Sequence, residues 1–286
     1  MSDELMSDES ISNECVKIIA EIGINHNGDI NIAKQLVMVA KVAQCHFVKI
    51  QKRCPDLCVP ENQKSLIRQT PWGEMTYLDY KKKTEFNMDQ IKELKNFSDE
   101  IGITFFASVW DKVSVDDIAS VCDIGKIPSA LITDLDLCSY ARQKFKTLIV
   151  STGMSTEKEI EDCVAVCAPD VIMHTNSTYP CPPEDLNLRY ITHLKHKYPN
   201  TQIGYSGHEY CLPTTYAAVA LGATWVERHI TLDREMWGSD QKSSVEPAGL
   251  FHMTSSIRNI EKAMQYPPGP RIQFETENIK KKALRK

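Results

Sequence analysis

The 286-residue sequence contains no apolar run long enough to cross a bilayer, which excludes a helical membrane span. It has no long basic stripe either. Lys and Arg total 33 against 38 Asp and Glu, a net charge of −5, and without a basic footprint nucleic acid is not an expected partner. The opening residues, MSDELMSDESISNE, lack the apolar core of a secretory signal and the basic, acid-poor character of a transit peptide. A cytoplasmic location is expected. Short internal repeats and low-complexity tracts are also missing. After the first strand-like run the sequence reads INHNGD, without the Gly-rich turn that grips a dinucleotide, so a Rossmann-type nucleotide site is disfavoured. The ten cysteines are scattered, and Cys122, Cys163 and Cys167 sit inside apolar strand or helix patterns, which reads as buried free thiols rather than a disulfide framework. Cys54 and Cys58 in KRCPDLCVP come closest to a metal pair, but no second pair or nearby histidine completes a tetrahedral zinc set.

What is present is a regular alternation of β-rich runs and helical patterns. The strand candidates are Val16 to Asn25, His46 to Gln51, Ile103 to Ser108, Asp123 to Pro128, Leu148 to Ser151, Val171 to Thr175, Ile203 to His208 and Thr224 to Ile230. Between them, DINIAKQLVMVAKVAQ puts Ile32, Leu36, Val39, Ala40 and Ala43 on one helical face behind Asp29 as N-cap. Asn87 with Gln90 and Thr156 with Glu159 have capping-box spacing, and Pro213 and Gly222 bracket a further helix. Eight strands each followed by a helix argue for an α/β fold of the (β/α)₈ TIM-barrel type over an open doubly wound sheet. The expected organisation is a flexible segment over 1–15, a barrel over 16–266 and a linker-like tail over 267–286. The long connection from Lys52 to about Phe86 reads equally as a lid over the barrel mouth or as a surface excursion.

In such a barrel the chemistry gathers at the C-terminal ends of the strands. Those ends are polar here. In order they offer Glu21; Lys49 and Gln51; Ser108; Lys126 and Ser129; Ser151; Ser177 and Tyr179, just past the sixth strand; Ser206 and His208; and His229. Taken singly, a serine at a strand end usually satisfies local backbone and a lysine usually reaches water or a carboxylate. Alternation, however, sends Lys49 with Gln51, Ser206 with His208, and Glu227 with His229 to the same side of their strands. Two lysines and several hydroxyls around one mouth suit a phosphate or a phosphorylated substrate. Two imidazoles from adjacent strands suit a divalent transition ion such as Mn²⁺, with water and substrate oxygens completing its shell. Of the other histidines, His26 reads as a loop organiser, His46 and His174 as packed strand groups, and His193, His196 and His252 as surface groups. In ATWVERHITLD the same alternation turns Val226 and Arg228 toward the helix layer, where Arg228 calls for an ion pair.

The motifs AEIGINHNGD, FVKIQ, KIPS, LIVSTGM, NSTYPCPPEDLNLR, IGYSGHE, AVALGA, ERHITLD and GSDQKSSVEP together resemble those of the sialic acid synthases, from Ile18 to about Glu261. The resemblance implies a metal-dependent condensation of phosphoenolpyruvate with an aldose, N-acetylmannosamine or a related sugar, giving a 2-keto-3-deoxy sugar acid and inorganic phosphate. It implies that His208 and His229 hold the ion, Mn²⁺ foremost, with Mg²⁺ or Co²⁺ as the other fits. It assigns Lys49, Ser108, Lys126, Ser129, Ser151, Ser177 and Ser206 to phosphoenolpyruvate, Glu21 to acid or base catalysis, and Gln51, Tyr179 and Asp240 to the acceptor sugar. It also implies a homodimer.

Two departures bear on the acceptor. After KIPS the family commonly has an acidic residue, where this chain has Leu131, and Gln241 and Lys242 stand where relatives tend to have a smaller or histidine-containing pair. The resemblance is to the barrel alone: the family's C-terminal antifreeze-like domain, which supplies an arginine to the neighbouring site in a dimer, is not expected in these 286 residues, whose tail matches the corresponding linker. The residues by themselves also allow a Schiff-base aldolase using Lys126 or Lys49, and a barrel that binds sugar or phosphate without turnover.

Overall fold

The computed structural model describes residues 15–265 together with 282–283. The expected N-terminal segment, apart from residue 15, and the tail, apart from 282–283, lie outside the described residues. Eight parallel strands close into a barrel: β1 (Lys17–Gly23), β2 (Phe47–Lys52), β5 (Thr104–Val109), β6 (Ile124–Ile127), β7 (Thr147–Ser151), β8 (Val171–Thr175), β9 (Gln202–Gly207) and β10 (Trp225–His229). These are the eight expected runs, with ends trimmed or shifted by one or two residues. The ring order is β1-β10-β9-β8-β7-β6-β5-β2, and β2 returns to β1. The helix layer is formed by α1 (Ile30–Val42), α5 (Met88–Glu100), α6 (Lys112–Ala119), α7 (Leu135–Lys144), α8 (Glu157–Cys167), α9 (Tyr190–Lys197), α10 (Pro213–Ala220) and α11 (Pro247–Ala263).

Local chemistry sets the helix starts. Asp29 accepts from the Asn31 N–H at 2.7 Å, and both capping boxes form, Asn87 with Gln90 and Thr156 with Glu159. Each satisfies backbone donors that the first turn of a helix leaves free, worth roughly 1 kcal/mol per cap. Strand alternation then divides the core. Ile19, Phe106, Ile149, Met173 and Trp225 point into the barrel and form its floor, where Phe47 stacks on Trp225 at 5.0 Å. Their neighbours Ile18, Ala20, Val48, Phe105 and Val226 point outward into the larger core under the helices.

Arg228 also points outward, fully buried, and pairs with Glu209 at 3.0 Å. It donates further to the Thr215 hydroxyl at 2.7 Å and to the carbonyls of Cys211 and Glu209, while Glu209 accepts from Tyr205 Oη at 2.9 Å and Thr214 Oγ1 at 2.6 Å.

The connection from β2 to α5 holds two short helices, α2 (Pro55–Cys58) and α3 (Glu61–Lys64), an antiparallel hairpin of β3 (Ile67–Thr70) and β4 (Gly73–Thr76), and α4 (Tyr77–Thr84). It folds back onto the loop after β10: Trp72 and Tyr80 both meet Trp237 edge to face, at 5.8 and 5.2 Å. The excursion is thus an ordered wall beside the mouth. Cys58, from the pair weighed as a metal site, is turned to Asp111, its thiol 3.2 Å from the carboxylate.

His26 organises the first loop, accepting from the Gly28 N–H at 3.0 Å and stacking on Phe86 at 4.0 Å. Burial pushes its pKa from 6.5 down to about 3. Between those values the unfolded chain takes up a proton that the folded chain refuses, so stability falls as pH drops, by about 1.4 kcal/mol per pH unit from this group. Urea unfolding at pH 7 and pH 5 should show a shallower loss in His26→Asn than in the native protein. Equal losses would mean that His26 protonates without unfolding.

Candidate active site

The polar strand ends form one layer because they are partners in the β-ladder. Glu21 is in register with His229 on one side and Lys49 on the other; Gln51 pairs with Ser108, Ser108 with Lys126, and Ser206 with both Glu227 and Thr175. Parallel pairing fixes these neighbours before any side chain is placed. All except Gln51 are at most 5% exposed.

Above the apolar floor lies a chain of alternating charge. Lys49 Nζ sits 2.5 Å from Glu21 Oε2 and 3.5 Å from Glu227 Oε1, and donates to Ser108 Oγ at 2.8 Å. Lys126 Nζ donates to the same Glu227 oxygen at 2.7 Å, which accepts from Ser206 Oγ at 3.2 Å as well. Burial raises the cost of ionising Glu227, but Lys126 and Lys49 outweigh it and hold its pKa near about 2. For Lys49 burial is likewise overcome, by Glu21 and Glu227, and its pKa is raised; for Lys126 burial prevails, helped by repulsion from Lys49, and its pKa is lowered. A buried quartet of this kind is costly to assemble and contributes little net stability. Its value is positional: it sets two buried ammonium groups side by side.

Ser151 Oγ, Glu227 Oε2 and His229 Nδ1 are buried without a hydrogen-bond partner in the protein. Buried polar atoms are rarely left so, and Ser151 and Glu227 both line one cup, where their free atoms suit a polar ligand. The cup is a cavity of about 200 Å³. Of the residues singled out from sequence, it is lined by Glu21, Lys49, Gln51, Ser108, Lys126, Ser129, Ser151, Ser177, Tyr179, Ser206, His208 and His229. Asp240 is the exception. It stands behind His229, with Oδ2 at 3.9 Å from Nδ1, and does not line the cavity.

The imidazole pair fits a divalent ion. His208 Nδ1 is 2.6 Å from the Asn176 carbonyl, an acceptor, so the proton belongs on Nδ1 and the lone pair on Nε2, where the Tyr179 hydroxyl lies at 2.8 Å. Burial, with repulsion from His229, pushes the His208 pKa down to about 3, which keeps the ring in its neutral, ligating form. The two rings lie 5.5 Å apart between centroids. Among the described residues no cluster of three or more His, Cys, Asp or Glu is placed to hold an ion. Two protein nitrogens would therefore hold it, with other oxygens coming from water or substrate.

Sequence reading missed several groups that shape the cup. Gly153 donates its N–H to Ser129 Oγ at 3.0 Å, and a Cβ at this position would stand 2.2 Å from Ser177 Oγ. Only glycine lets the backbone pass between the two serines. The motif LIVSTGM contains this glycine, but nothing in it points to that approach. Gly23, with φ at +55°, performs a similar service for His229, whose Cε1 and Nδ1 would lie 3.1 Å from an added Cβ. Trp110, Pro128, Ala130 and Met154 make one sector of the mouth apolar. Leu131 does not join them; it lies in the 3₁₀ turn Ser129–Leu131 and packs on the main core.

A model of the NeuB family matches residues 36–267. Mouse N-acetylneuraminate-9-phosphate synthase is 38% identical over 259 residues, covering 87% of this chain and 71% of the relative. N,N'-diacetyllegionaminic acid synthase of Campylobacter jejuni is 35% identical over 257 residues, covering 86% and 77%. The crystal structure of a sialic acid synthetase from Leptospira borgpetersenii, in complex with citrate, superposes with a TM-score of 0.84 at 30% identity over 96% of this chain and 94% of that one. With a closed eight-stranded barrel and a matched region that takes in every strand from β2 to β10, the chain belongs to the NeuB family.

Proposed function

We propose that the protein is a phosphoenolpyruvate-dependent sugar acid synthase, joining phosphoenolpyruvate to an aldose to give a 2-keto-3-deoxy sugar acid and inorganic phosphate. The supporting observation is the convergence on one cavity of Lys49, Lys126 and the serine hydroxyls with the His208–His229 pair. The lysines and serines meet the phosphate and carboxylate of phosphoenolpyruvate as preplaced donors, with Gly153 letting Ser129 and Ser177 close on the same anion. A divalent ion on His208 and His229, Mn²⁺ by preference, would supply Lewis acidity toward the aldehyde oxygen.

C3 of phosphoenolpyruvate forms the new C–C bond to the aldehyde carbon, whose oxygen gains a proton and becomes a hydroxyl. Water then adds to the electron-poor C2 and loses a proton, a transfer suited to Glu21, whose carboxylate faces the cup beside Lys49. The resulting tetrahedral centre collapses to the ketone with loss of phosphate, so the C–O bond breaks and the P–O bond stays intact. Gln51 and Tyr179, at the outer edge of the cup, face the acceptor.

Phosphoenolpyruvate labelled with ¹⁸O at the bridging oxygen tests this order. In the presence of Mn²⁺ and an aldose panel, the label should leave in inorganic phosphate; label retained in the organic acid would sink the reading. The lowered pKa of Lys126 is the one observation that favours a Schiff-base aldolase instead. That alternative requires a borohydride-trapped pyruvate adduct and activity that survives EDTA.

A further inference from the structure

Arg53 stands one residue beyond β2 and is buried, with 8% of its surface exposed. It does not line the cup, yet it touches two residues that do, Gln51 and Trp110. Its guanidinium donates to Gln51 Oε1 and lies 4.4 Å from the Trp110 ring centroid. Glu85 takes its charge, accepting from the Arg53 backbone N–H at 2.9 Å with the other carboxylate oxygen 3.7 Å from Nε. The reaction proposed above gives this arginine no part.

A glutamine amide can be turned end for end, and so can offer a substrate either an acceptor or a donor. Here both neighbours dictate the same choice. A guanidinium has donors only, so Gln51 Oε1 must face Arg53, and Nε2 is left beside the Glu21 carboxylate, 3.4 Å from its Oε1. With the oxygen engaged, what Gln51 has left for the cup is an N–H donor. Trp110 is set by the same group, because a guanidinium lying over an indole face restrains the ring and both planes are rigid. The ring begins the apolar sector that Pro128, Ala130 and Met154 complete.

We propose that Arg53 is a positioning residue for the acceptor: through Gln51 it leaves an N–H donor for the cup, and through Trp110 it fixes an apolar plate, so that the cup selects an aldose with an oxygen acceptor beside a hydrocarbon face. The assignment rests on the synthase reading above and deepens it. The hydrogen bonds and ion pair of Arg53 go to Gln51 and Glu85, not to Lys49, Lys126 or the serines, so its loss should be felt by one substrate of the two. Replacing it does not strand Glu85, which keeps Lys52 at 3.7 Å, and the variants are expected to fold.

Equilibrium binding of N-acetylmannosaminitol, which lacks the aldehyde and cannot react, and of phosphoenolpyruvate, each with Mn²⁺ present, provides the test. Arg53→Met should weaken the alditol about tenfold and phosphoenolpyruvate less than about twofold, and Arg53→Lys, which still donates to Gln51, should recover part of the loss. Because Arg53 acts through Gln51, the loss in Arg53→Met/Gln51→Ala should fall short of the product of the two single losses. A merely structural role predicts the reverse: both ligands would weaken together, and Glu85→Gln, which loosens the same connection, would imitate Arg53→Met. No alditol binding to the native chain, an Arg53→Met variant that spares the alditol or weakens both ligands alike, or losses that multiply in full would overturn the proposal. If the Arg53 pattern holds and no aldose of the panel releases phosphate from phosphoenolpyruvate, the synthase reading fails while the positioning assignment stands for a cup that binds sugar.

Discussion

His229→Ala should lower turnover on the order of 10³-fold in a protein that still folds, because in the proposed function it removes one of the two imidazoles that would hold a Lewis-acidic ion. The ring is buried, its Nδ1 has no hydrogen-bond partner, and its neighbours are polar side chains of the cup rather than the hydrophobic core. Truncation therefore costs packing on one side only and leaves a polar cavity that water can enter. The readout is double. Turnover should collapse, and Mn²⁺ binding measured by equilibrium dialysis should weaken in parallel, while the far-ultraviolet dichroism and the urea midpoint stay close to native. Retained Mn²⁺ affinity with retained turnover would remove His229 from the metal site. His208→Ala should behave alike, with an added loss of order at Tyr179, whose ring stacks on His208 at 4.0 Å between centroids.

Arg228→Met has the opposite profile and the largest expected effect on stability, about 3–5 kcal/mol. It strips the counter-ion from Glu209, which is itself fully inaccessible, and leaves that carboxylate with only hydroxyl donors. Thermal unfolding should shift down by roughly 10 °C for a chain of this size. Adding Glu209→Leu should recover much of that loss, since the penalty lies in the isolated charge more than in the missing pair. A single-variant cost below about 1 kcal/mol would show that the hydroxyl donors around Glu209 suffice without Arg228. Adjacent residues on β10 thus divide the labour: one change silences the site in a stable barrel, the next loosens the barrel.

That division was legible in ATWVERHITLD because a strand buried on both faces has only two directions for a side chain, and a charge on either face must find its own use. The eight barrel strands were legible for a related reason. Each is short and largely apolar, and those from β1 to β7 in the ring lead into helices whose starts are written in capping residues, as at Asn87 and Thr156. The β3–β4 hairpin was not, since Ile67, Arg68 and Gln69 are all exposed and no apolar alternation marks a sheet that packs on so little. Asp240 illustrates a different limit. Motif position brought it to the site, but only coordinates reveal that it stands behind His229 instead of on the cavity wall. Gly153 shows a third, because a backbone approach leaves no side chain to notice.

The ladder register of Glu21, Lys49, Ser108, Lys126, Ser206 and Glu227 has a consequence for how such a barrel can diversify. In the proposed function, the groups that would meet phosphoenolpyruvate stand on positions set by the same hydrogen bonds that close the ring, so those positions cannot shift against one another unless the barrel itself opens. The wall beside the mouth hangs from loops and a peripheral hairpin. On that reading, the acceptor can be changed through those loops while the ladder-set positions stay where the barrel puts them.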